Sequence, residues 1–143
     1  MNINQISVFL ENKKGRLNKV CECLAKAKIN MRALSLADSK DFGVLRIIVN
    51  DPDKCKTILK KNAFVVQETN VIAVEIEDKP GGFKKILDIL DKNNINLEYT
   101  YATVEKNRNN AIVILKIDDQ QKAIEVLKKN KISLMKSGEL KKI

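Results

Sequence analysis

Glu11–Val20 reads ENKKGRLNKV, and Glu77–Ile86 reads EDKPGGFKKI. Each follows an apolar, strand-like run and leads into a helical pattern. Extending the alignment outward, Ser7 falls on Ala73, Val8 on Val74, Leu10 on Ile76 and Gly15 on Gly81. Val20 meets Ile86, Leu24 meets Leu90, and Ile29-Asn30 meets Ile95-Asn96. A two-residue insertion in VEKNRNN (104–110) shifts the offset, after which Asp51 meets Asp119 and LKKN at 59–62 meets LKKN at 127–130. The chain is therefore an internal repeat, and each copy must build one complete supersecondary unit.

Within the first copy, QISVFLE (5–11) alternates like a half-buried strand, and Leu17, Val20, Cys21 and Leu24 recur at helical spacing after Gly15. MRALSLAD (31–38) and VLRIIVND (44–51) read as strands. DPDKCKTILKKN (51–62) reads as a helix, with Pro52 near its start and Asn62 near its end, and FVVQE (64–68) closes the copy. The second copy gives the same order over 71–77, 81–93, 97–105, 111–117, 120–130 and 132–136. The expectation is an α+β fold of two ferredoxin-like βαββαβ units, divided as 1–69 and 70–143. Each would have an antiparallel sheet with both helices on one face and the other face bare. Units this small bury little surface alone, so two in one chain are expected to pair, sheet edge to sheet edge or face to face. An exposed apolar sheet face would add a homodimer.

Composition removes several function classes. The 143 residues carry a formal charge of +9 with no histidine. That excess is mostly lysine; the arginines are Arg16, Arg32, Arg46 and Arg108. Lysines interspersed with Glu and Asp on helix faces, with few aromatics for base stacking, argue against nucleic acid. No apolar run approaches the ~18 residues of a membrane helix, and MNINQ is no signal peptide, so the expected location is the cytoplasm. Cys21, Cys23 and Cys55 form neither a disulfide framework nor a metal site. Cys21 and Cys55 fall on apolar faces, as small hydrophobes do. Without histidine the commonest general base is missing, and no nucleophile sits beside another. Asp51, Asp53, Asp118 and Asp119 read as helix caps. The expectation is a protein that is not an enzyme and uses no cofactor or metal.

The duplicated junction suggests binding. The first N–H groups of a helix lack intrahelical partners and favour an anion. Glycine lets a ligand approach the backbone. Asp78 or Asn12, just before, suits an ammonium. Lys13, Lys14 and Arg16 either solvate or help hold an anionic ligand or an acidic partner. The pattern is no phosphate loop: neither G-x-x-x-x-G-K-[ST] nor G-x-G-x-x-G occurs.

SVFLENKKGRLNKVCECLAKAKINMRALSLAD and AVEIEDKPGGFKKILDILDKNNINLEYTYAT both resemble the ACT domain, a regulatory amino-acid-binding module of βαββαβ fold. The resemblance covers nearly the whole chain, twice, as in small stand-alone double-ACT proteins, and implies two units joined side by side in one continuous sheet as a pseudo-dimer. It implies ligand sites where two ACT units meet. One would use Asp78, Lys79, Pro80, Gly81, Gly82 and Phe83 with Asn30 and Met31. The other would use Asn12, Lys13, Lys14, Gly15, Arg16 and Leu17 with Asn96 and Leu97. The Asn amides would bond the ligand, Asp78 would take its ammonium, and the N–H groups of Gly81 and Gly82 its carboxylate. Lys14 stands where the family prefers proline, and Gly82 is inserted before the large apolar position, so the weight falls on the Asp78 loop. The implied function is a free amino-acid sensor. The alternative is a regulatory subunit of an amino-acid biosynthetic partner enzyme, such as acetolactate synthase, although here the second half keeps the ACT motif.

Overall fold

The computed structural model describes residues 2–39, 41–104 and 110–141. The element order is β1 (Ile3–Glu11), α1 (Arg16–Lys26), β2 (Met31–Asp38), β3 (Phe42–Val49), α2 (Pro52–Lys61), β4 (Val65–Glu77), α3 (Gly82–Lys92), β5 (Leu97–Ala102), β6 (Asn110–Ile117), α4 (Gln120–Lys129) and α5 (Ser137–Lys141). One compact unit spans residues 4–69 and the other is built mainly from 70–141. The first repeat shows the expected βαββαβ order, and the second follows it as far as its second helix. The insertion that offsets the repeats falls at 104–110, of which 105–109 lie outside the described residues.

In the first unit β3 pairs antiparallel with both β1 and β2. In the second, β6 pairs antiparallel with both β4 and β5. The registers match: Glu11 faces Phe42 as Glu77 faces Asn110, and Ser7 faces Arg46 as Ala73 faces Ile114. Alternation then puts Ile6, Val8, Leu10, Leu45, Ile47 and Val49 against Val20, Leu24, Cys55 and Leu59 of the helices. The second core repeats this with Ile72, Val74, Leu115 and Ile117 against Ile86, Leu90, Ala123 and Leu127. Burial pushes the Cys55 thiol up to about 12, so it stays a protonated small hydrophobe. Cys23, rather than Cys21, packs against the first core, one turn from Val20 and Ala27; Cys21 is half-buried.

All four long helices end alike. Lys28, Ala63, Asn94 and Lys131 take positive φ of 57°, 66°, 56° and 62° just past the helix. The next residue then donates back into the last turn: Ile29 to Leu24, Phe64 to Leu59, Ile95 to Leu90 and Ile132 to Leu127, at 2.9–3.0 Å. This is the Schellman arrangement with its apolar contact, made without glycine. The starts differ by position in the repeat. Asp51 caps α2 and Asp119 caps α4, accepting from the N–H of Lys54 at 3.2 Å and Lys122 at 3.1 Å. Asp53 sits in the first turn of α2. Asp118 is not a cap: its Oδ1 accepts from the N–H of Asn96 at 3.2 Å and of Asp119 at 2.8 Å.

Two expectations need correction. The strand expected over 132–136 is reduced to a single bridge, Val74 with Leu134, flanked by bonds from Glu75 N–H to Ser133 O and Met135 N–H to Ala73 O. After it the chain turns into the unforeseen short α5. The sheet face opposite the helices is not bare either. Ala33, Ile48, Ala73, Ile112 and Ile114 are at most 2% exposed. Part of that face stays open: Phe9 and Phe42 are 41% and 61% exposed.

Candidate functional site

The two strand-to-helix junctions share a backbone design. Gly15 and Gly81 precede α1 and α3 with φ of 87° and 85°, a region costly for any residue with a Cβ. In both, the residue after the bend donates back to the strand end: Lys13 N–H to Glu11 O at 2.8 Å, Lys79 N–H to Glu77 O at 2.9 Å. The side chains of the same residues form ion pairs, Lys13–Glu11 at 2.9 Å and Lys79–Glu77 at 2.6 Å. The hydrogen bond and charge of each lysine hold both carboxyls below their usual range. Neither helix start has a side-chain cap or an acid in its first turn, unlike α2 and its Asp51 cap. The N–H groups of Arg16 and Gly82 donate to Lys13 O and Lys79 O, so the next ones in each first turn are left to solvent or a ligand.

Beyond this common frame the junctions diverge. Gly82 is buried, and a Cβ there would lie 2.0 Å from the Glu77 carbonyl oxygen. The second loop thus closes onto the end of its strand as only glycine permits. Beside it lies a cavity of about 420 Å³. Its walls are the end of β4 (Glu75–Glu77), the loop Lys79–Gly82, Lys85 and Ile86 of α3, Asn110, and Lys131–Ser133. In the first unit the residue aligned with Gly82 is Arg16, whose guanidinium carbon lies 4.9 Å from the centre of the Phe64 ring. The hollow at that loop measures about 80 Å³ and is walled in part by Asn12, Lys13, Arg16 and Leu17.

The chain matches the family model of the ACT domain pair over residues 1–143. It belongs to the ACT family. The likeness extends to a crystal structure of protein BT0572 from Bacteroides thetaiotaomicron, with 43% identical residues and a TM-score of 0.94, covering 100% of this chain and 98% of that one. At the level of fold alone it is similar to the ligand-free regulatory subunit of aspartate kinase from Thermus thermophilus, at 13% identity and TM-score 0.63, covering 88% of this chain and 91% of that one. Aspartokinase alpha and beta subunits share the fold at 16% identity and TM-score 0.59, covering 88% and 90%. No curated protein matches the chain.

With the ACT pair placed, the expected site residues sort as follows. Lys79, Pro80, Gly81 and Gly82 come together on the cavity wall, while Asp78 is exposed and Phe83 packs partly against the second core. The N–H of Gly82, expected to meet a carboxylate, instead donates to Lys79 O at 3.0 Å. That leaves the N–H groups further into the first turn for an anion. Lys14 and Gly15 are exposed in the first loop. Asn30 and Asn96 hold matching positions at the entries of β2 and β5. Their backbone N–H groups donate to Asn50 Oδ1 at 3.1 Å and Asp118 Oδ1, and their side chains are exposed. Met31 and Leu97, next along, pack against the two cores. Sequence reasoning missed Lys85, Asn110, Lys131 and Ile132. Aligning Ile132 with Phe64 and Gly82 with Arg16 was the signal that would have exposed them.

Proposed function

We propose that this ACT pair is a non-catalytic amino-acid sensor whose principal site is the second-repeat junction. The observation that carries the reading is the contrast among helix starts. The second helix of each repeat is closed by an aspartate, whereas α3 opens on Gly81 without a cap, against a cavity of about 420 Å³. Lysines and glutamates on the cavity wall suit a zwitterion, with its carboxylate at the helix start and its ammonium beside a carboxylate. Asp78, in the same loop, is proposed to take part, since its carboxylate is exposed. The ligand is a free amino acid and the setting cytoplasmic. Binding would bias how the protein meets a partner enzyme of amino-acid metabolism or a second copy of itself, which requires different ligand affinity in the two states.

A second reading, a regulatory subunit held on such an enzyme, draws support from a groove of about 580 Å³ between α1 and α2, rimmed by Lys19, Lys61 and the Lys26–Glu22 ion pair. In it the partner enzyme is permanently in place. Thermal unfolding of the isolated chain against each common amino acid separates the two. A sensor gains ~2.7 kcal/mol at about 100 times the dissociation constant; a subunit that needs its enzyme shows no shift until the enzyme is added. Asp78→Ala should erase the shift without lowering the ligand-free melting temperature. An unchanged shift removes Asp78 from the site.

A further inference from the structure

The wall of the second-repeat cavity sets three lysines, Lys79, Lys85 and Lys131, against two glutamates, Glu75 and Glu77. Both carboxylates are already engaged. Glu77 pairs with Lys79 at 2.6 Å, and Glu75 accepts from the Asn110 amide at 3.3 Å. Lys85 lies near enough for its charge to lower the Glu77 pKa, yet neither it nor Lys131 forms an ion pair among the described residues. Asp78, exposed in the loop, is the acid left for a ligand's ammonium. A zwitterion with its ammonium at Asp78 and its carboxylate at the start of α3 leaves two ammonium groups on the wall without a counter-ion. The positive end of the α3 dipole adds to that excess.

The repeats differ at one of these two cations. Lys85 is matched by Lys19, whereas Lys131 is matched by Ala63. Ala63 and Lys131 take the same left-handed turn just past their helices, with φ of 66° and 62°. The backbone therefore does not call for lysine: alanine serves the same turn in the first repeat. In the second repeat this position brings a cation to the cavity wall, beside the apolar Ile132.

We propose that the second-repeat cavity selects an acidic amino acid, and that Lys131, with Lys85, holds its side-chain carboxylate. The proposal rests on the amino-acid-sensor reading and narrows it: the ligand carries a second carboxylate, and Lys131 distinguishes it from the neutral amide of the same shape.

The test is calorimetric titration of the full chain with L-glutamate and L-aspartate, with L-glutamine and L-asparagine, and then with the other common L-amino acids and inorganic phosphate. One acidic amino acid should bind at least about tenfold more tightly than its amide, the scale of a hydrogen bond between charged groups. Lys131→Ala puts the first repeat's own residue on the same backbone. It should cut that preference to below about threefold and leave the affinity for the amide unchanged, while Lys131→Arg keeps the preference. Lys85→Gln, at an exposed position of α3 outside the left-handed turn, should weaken the acidic ligand and spare its amide. A full preference retained by Lys131→Ala overturns the role of Lys131, and one retained by both variants overturns the lysine pair. Should a neutral or basic amino acid bind as tightly as the acidic ones or more so, this inference falls while the sensor reading stands. Phosphate binding as tightly as the acidic amino acid would make the cavity a general anion site and overturn the selection. Should no amino acid bind, both readings fall.

Discussion

Gly15-Arg16 and Gly81-Gly82 begin the same helix of the same repeat and end in different chemistry. The shared part is backbone: a left-handed glycine, a lysine–glutamate clasp and an uncapped helix start. The divergence is sharpest at one position, where one repeat carries a long cation folded onto an aromatic ring and the other carries no side chain at all. Duplication kept the geometry that the chain needs in order to turn, and let the occupant of the adjacent space vary. What a repeat preserves is thus a guide to folding, and what it varies is a guide to binding.

The comparison breaks most visibly at Gly82. A Cβ 2.0 Å from a backbone oxygen cannot be relieved by rotating a side chain. Gly82→Ala should cost about 2–3 kcal/mol, the upper range of overpacking. Arg16→Ala, which removes a cation over a ring that stays covered, should cost about 1 kcal/mol. Urea unfolding of both variants measures the gap. Equal costs would mean that the two loops approach their strands alike.

The other helix starts should behave symmetrically. Asp51→Ala and Asp119→Ala each remove one side-chain acceptor at a helix N-cap, and each should cost about 1 kcal/mol. The same measurement on both tests whether the capped starts are as interchangeable as their geometry. A cost in one repeat alone would show that the asymmetry reaches beyond position 82.

Much of this frame was legible in the residues. The period-two runs, the helical spacing of Val20 and Leu24, and the Asp51 and Asp119 caps are local signals, and a repeat states each of them twice. Three features were not legible. Lys28, Ala63 and Lys131 occupy left-handed positions that composition assigns to glycine, because the Leu–Ile or Leu–Phe contact of the Schellman turn outweighs their strain. The segment after Ile132 loses its strand because only Glu75, Val74 and Ala73 offer it partners before α5 begins. Burial of Ile48 and Ile112 on the face expected to be bare depends on tertiary structure, which pair alignments do not encode. The cavity beside Gly82 belongs to the same class: its walls come from five segments.

A smaller effect sharpens the likeness of the helix ends. Ala63→Gly should relieve left-handed strain of about 1–2 kcal/mol and give back part of that as freedom of the unfolded chain. The net gain is about 0.5 kcal/mol, read as a raised urea midpoint. Lys131→Gly should match it, since φ is 66° at one position and 62° at the other.

The smallest expected effect is a pH dependence common to both junctions. Glu11 and Glu77 each have a folded pKa below the ordinary carboxylate range, first through the lysine hydrogen bond and then through its charge. A carboxyl depressed in the folded state binds fewer protons there than when unfolded. Its contribution is fully present above the unfolded pKa and is lost as pH falls through the lower, folded one. Both side chains are solvent-exposed, so the loss is small and screened by salt. Melting temperature should therefore fall slightly below about pH 4.5, and less so at high salt. Lys13→Met and Lys79→Met should each remove part of that slope, and by similar amounts. If only Lys13→Met flattens it, the clasp in the second repeat exists without contributing. The ion pair beside the cavity would then be one that a ligand can open at little cost.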